Sequence, residues 1–96
     1  MNKKDVLKYL RDEMPTIKKK FGVRSIGLFG SYAKDLQTEE SDIDFLVEVD
    51  KPFSKNFFGL WSHLENSLDK RIDLTRKGPH LRDKFITAVE KEIVYA

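Results

Sequence analysis

Apolar side chains recur at two periods along this chain, and the switches between them mark its elements. Val6, Leu7, Leu10, Met14, Ile17 and Phe21 stand three and four residues apart with Lys and Arg between them, which predicts an amphipathic helix. Asn2 can cap it, and Asp5, three residues on, offers the return bond of a capping box. Pro15 is expected to kink this helix or split it in two, since proline has no N–H to give. Lys18, Lys19 and Lys20 favour its C-terminal end, and Gly22 closes it.

The period then shortens. Residues 23–29 read as a first strand ending at Gly30, and residues 31–41 are polar, with a helical turn expected near Tyr32–Leu36. Residues 43–49 alternate cleanly: Ile43, Phe45, Val47 and Val49 share one face, and Asp42, Asp44, Leu46 and Glu48 share the other. Asp50, Lys51 and Pro52 end that strand. Phe57, Leu60, Trp61, Leu64 and Leu68 form a second helical stripe. Residues 71–75 make a short third strand with Ile72 and Leu74 inward and Asp73 outward. Leu81, Phe85, Ala88 and Val89 mark a last helix, and residues 93–95 an extended tail. The order predicts an α+β fold (mixed α/β): a small mixed β-sheet of about three strands with helices packed on one face. Ninety-six residues suit a single domain, 1–96.

Candidate chemistry sits on the acid face. Asp42 and Asp44, two apart on a strand, point the same way and repel unless a positive charge lies between them. Hard divalent cations such as Mg²⁺ take carboxylate oxygens and commonly keep substrate phosphate as a further ligand. Asp73 alternates with apolar neighbours on another strand, so three carboxylates can converge if the two strands are adjacent. Upstream, Gly30 permits a sharp turn and close backbone approach, and Ser31 adds a hydroxyl at the start of the turn. Each part also has an ordinary reading. A lone D-x-D suits a solvated strand face, and a lone Gly-Ser suits a strand-end turn.

Together the parts match a pattern. Gly30-Ser31, ten intervening residues, Asp42-x-Asp44 and a later Asp73 resemble the nucleotidyltransferase superfamily that includes DNA polymerase beta. The string LFGSYAKD, residues 28–35, is similar to the signature of its smallest members, the minimal nucleotidyltransferase (MNT) antitoxins paired with HEPN-domain toxins. The resemblance implies the nucleotidyltransferase fold and transfer of AMP from ATP, with two Mg²⁺ ions, to a hydroxyl of the HEPN toxin, a tyrosine being the acceptor to expect. It implies that Asp42, Asp44 and Asp73 are catalytic and hold the metal, and that Gly30, Ser31 and Lys34 bind the nucleotide. Two positions depart from the family pattern. Lys34 stands where arginine is usual, which keeps the charge but not the bidentate fork. Asp35 replaces a glycine and adds a negative charge. The alternative reading is an antitoxin, weak in catalysis, that neutralises its toxin by binding alone.

Composition narrows the classes. Eighteen Lys and Arg against 16 Asp and Glu leave a net charge of +2, which does not predict direct nucleic-acid binding. The absence of cysteine excludes disulfides, thiolate metal sites and a cysteine nucleophile, and agrees with a cytoplasmic location. No segment reads as a membrane span, and the charged N-terminus is not a signal peptide. Arg71, Arg76, Lys77, His80 and Arg82 gather loosely in sequence around the third acid.

Overall fold

The computed structural model describes residues 1–50 and 55–96, and the side chains of all of these except 55 and 56. Its elements run α1 (Lys3–Phe21), β1 (Val23–Phe29), α2 (Gly30–Ala33), β2 (Ile43–Val49), α3 (Lys55–Leu68), β3 (Ile72–Arg76), α4 (Asp83–Glu90) and β4 (Val94–Tyr95). Lys51 and Pro52, expected to end β2, lie outside the described residues.

The first helix is continuous through Pro15. Its buried residues are the six of the predicted stripe, and Val6, Leu10 and Ile17 are fully enclosed. Burying such a side chain stabilises by about 1.5–3 kcal/mol, so the stripe as a whole outweighs the roughly 3 kcal/mol that an interior proline costs a helix. Both ends are capped as the sequence suggests. Asn2 Oδ1 accepts from the Asp5 N–H at 2.9 Å, and the Asn2 N–H donates to Asp5 Oδ2 at 3.1 Å. Gly22 turns left-handed at φ 66°, and its N–H donates to the Lys18 carbonyl.

One four-stranded sheet is described, in the order β3-β2-β1-β4. The strand beyond the predicted three is the tail: Val94 pairs with Leu28 and Tyr95 with Gly27, antiparallel. Gly27 makes this possible, because a Cβ there would lie 2.6 Å from Ile93 Cγ1. Strands β1 and β2 are antiparallel and β2 and β3 parallel, so the sheet is mixed. Helices α1 and α3 cover one face, where Leu10, Ile17, Leu60 and Leu64 meet Ile26, Leu28, Ile43, Phe45 and Val47 in one core. Helix α4 stays outside that cluster. Its Phe85 ring tilts against Phe29 at 5.9 Å, and Phe29 lies directly across from Asp44, so α4 flanks the acid face.

Candidate active site

Register builds the acid face. Asp44 and Asp73 are direct partners across the parallel β2–β3 ladder, where neighbouring strands run about 4.8 Å apart. Their side chains therefore leave the sheet on one face, side by side. Asp42 precedes Asp44 by two residues and shares its orientation, but its Oδ1 accepts from Arg71 Nε at 3.2 Å on the exposed rim. Outside that pair runs a groove of about 580 Å³, lined by Glu39, Glu40, Asp42, Asp69 and Arg71 among others.

Crowding of like charge shows at Asp44. Its carboxyl is pushed up from 3.8 to about 6, first by burial, then by Asp73, Asp42 and Glu92. Three acids thus act on Asp44 electrostatically. Among the described residues, however, no three His, Cys, Asp or Glu side chains surround a common point fit for a metal ion. The donor chemistry suits a hard divalent cation, being all carboxylate oxygen. The repulsion borne by Asp44 is what such a cation relieves.

The glycine bend fits tightly against these acids. Gly30 has φ 73°, and any Cβ there would collide with the Asp44 carboxylate, its Cγ being only 2.9 Å away. Glycine is thus required twice, for the left-handed backbone and for the space. The short α2 begins at Gly30, two residues earlier than the turn expected at Tyr32–Leu36. Tyr32 and Ala33 are buried in the core and anchor it, leaving Ser31 and Lys34 towards the surface. No side chain caps the first N–H groups of α2. Asp35 also has a left-handed φ of 58°, which aspartate tolerates better than most residues. It lines a cavity of about 340 Å³ with Lys3, Lys4 and Arg11, so positive groups face its added charge.

A nucleotidyltransferase domain model matches residues 7–95. The chain belongs to the nucleotidyltransferase domain family. A Methanocaldococcus jannaschii protein named "Putative protein adenylyltransferase" is 39% identical over 87 residues, spanning 90% of this chain and 89% of the relative. The protein adenylyltransferase MntA of Thermococcus cleftensis is 39% identical over 80 residues, spanning 82% and 80%. Among solved structures, a toxin–antitoxin complex with AMP-PNP matches with a TM-score of 0.67 at 26% identity, covering 99% of this chain and 72% of that one. A complex of the MNT antitoxin with tri-AMPylated HEPN toxin from Shewanella oneidensis matches with a TM-score of 0.57 at 24% identity and shares the fold.

Three contacts of this nucleotidyltransferase escape a reading of the sequence. Trp61 Nε1 donates to the Ile72 carbonyl at 2.8 Å, and Glu65 Oε2 accepts from the Ile72 N–H at 3.1 Å. These bonds fix β3 one residue before Asp73. Glu92, just beyond α4, holds Lys34 Nζ at 2.9 Å and also acts on Asp44. A stripe of apolar spacing identifies Trp61, but nothing in the spacing of Glu65 or Glu92 predicts their partners. His63 lies off the apolar stripe, where exposure is expected, yet it is half-buried against Phe21, with ring centroids 5.4 Å apart.

Proposed function

We propose that residues 1–96 act as one catalytic domain, a protein adenylyltransferase that moves AMP from ATP to a hydroxyl of a HEPN-type toxin and serves as its antitoxin. Tyrosine is the acceptor we favour. The observation that carries the reading is the cross-strand pairing of Asp44 with Asp73 directly beside the Gly30 bend. Relatives named protein adenylyltransferases and a likeness to a toxin–antitoxin complex with AMP-PNP support it. We place the protein in the cytoplasm, to which a cysteine-free sequence is suited.

Each group has a part. Backbone N–H groups at Gly30 and Ser31, the Ser31 hydroxyl and the Lys34 ammonium would bind the β- and γ-phosphates. Asp42 and Asp44 would hold two Mg²⁺ ions, with Asp73 completing one site. What Mg²⁺ supplies when bound is neutralisation of phosphate charge and polarisation of the reacting oxygens. Asp73 would draw the proton from the acceptor hydroxyl. The acceptor oxygen then bonds to the α-phosphorus, the bond from that phosphorus to the β-phosphate bridge breaks, and pyrophosphate leaves.

The test is incubation of the protein and its HEPN partner with Mg²⁺ and α-labelled ATP. Label should reach the partner and fall at least about 100-fold with Asp73→Asn, the scale of losing a positioned general base. Neutralisation of the toxin by the unlabelling variant, with equal potency, would instead support inhibition by binding alone.

A further inference from the structure

Resting on that reading, we infer that Glu92 is a positioning residue: it holds the ammonium of Lys34 at the phosphate end of the acid face. Lysine is a flexible four-carbon stem with a point charge, and ordering it costs roughly 2 kcal/mol of rotamer entropy. Here both ends are fixed. The Lys34 N–H donates to the Gly30 and Ser31 carbonyls at 3.2 Å, which ties the stem to the glycine turn. Its Nζ meets Glu92 Oε2 at 2.9 Å. The Glu92 side chain is 18% exposed, and that oxygen is shielded from solvent and accepts no hydrogen bond among the described residues, so the half-exposed Lys34 ammonium meets it as an ion pair.

Glu92 is itself held by the chain around it. Its N–H donates to the Val89 carbonyl at 3.0 Å, and Val89 is buried at the end of α4. Next to it, Ile93 packs against Gly27, and Val94 pairs with Leu28. The short last strand thereby pins a carboxylate over the end of β1, where α2 begins. A glutamate that orients a phosphate-binding lysine is the same chemistry by which protein kinases use their lysine–glutamate pair. Lysine alone lacks a rigid fork, and the fixed carboxylate restores direction to it.

The alternative is that Glu92 acts as an unfavourable negative charge near the triphosphate, or only as part of the α4–β4 packing. A double-mutant cycle separates these, read as the Kd of a fluorescent ATP analogue and as the KM for ATP in transfer. Glu92→Gln should weaken analogue binding about two- to fivefold, the scale of one partly exposed ion pair. Glu92→Asp should recover part of the loss. In a Lys34→Met background, Glu92→Gln should have almost no further effect, because its target is gone. Tighter binding in Glu92→Gln, or an equal loss with and without Lys34, overturns the inference. If the wild type binds the analogue and the cycle couples but no label reaches a HEPN partner, the transferase reading fails while this inference stands. If the wild type binds no analogue, both fail.

Discussion

Asp44 bears the site's electrostatic cost. A carboxyl raised from 3.8 to about 6 in the fold stabilises the protein relative to the unfolded chain only while it is protonated. That contribution is complete below about pH 4 and is lost as pH rises through about 6. Asp44→Asn should therefore raise the Tm of the metal-free protein at pH 7.5, and the gain should vanish at pH 4. Solvent screening at a half-buried carboxylate leaves on the order of 1 kcal/mol, or about 4–8 °C for a domain of this size. Thermal scans at both pH values check this, and a lower Tm at pH 7.5 would mean that the carboxylate holds structure rather than straining it. At this scale the sequence spoke unevenly. The alternation around Asp42 and Asp44 placed both on one face, because period two is a strict property of a strand. That Asp42 turns to Arg71 and that Lys34 turns to Glu92 depends on contacts 29 and 58 positions apart, which no local period encodes.

Among the elements, β3 is the one on which the site most depends, since it carries Asp73 and, among the described residues, pairs on one side only. Its outward backbone groups at Ile72 are satisfied by side chains of α3 instead of by another strand. Trp61→Phe keeps an aromatic ring of smaller size and deletes the donor. The expected loss is about 1 kcal/mol, the net worth of a typical hydrogen bond, with faster amide exchange concentrated in residues 72–76. A uniform change in exchange along the chain would contradict the anchoring role. Most elements were legible from apolar spacing, including both caps of α1. The misses have physical causes. Pro15 pointed to a kink or a split, and the helix does not split, because packing on both sides of it outweighs the cost of an interior proline. The α2 turn began early because Gly30 takes the left-handed bend and Tyr32 is drawn into the core. The tail expected to be extended over residues 93–95 does pair as β4, although two residues are too few to show a period, and Gly27 leaves room for the Ile93 side chain beside it.

For the whole molecule, the mixed sheet works as an alignment device. One face builds the core with α1 and α3. The other sets acids of two strands next to a glycine bend and a lysine held from the last turn of the chain. Family membership follows from a match over residues 7–95, and the deeper question is whether the acid face serves as a metal and triphosphate site. Crystals of the protein grown with Mn²⁺ and AMP-PNP answer it through the anomalous signal of manganese. The expected result is manganese within coordination distance of Asp42, Asp44 and Asp73, with the β- and γ-phosphates at Gly30, Ser31 and Lys34. Manganese peaks elsewhere, or a bound nucleotide away from the Gly30 bend, would contradict it.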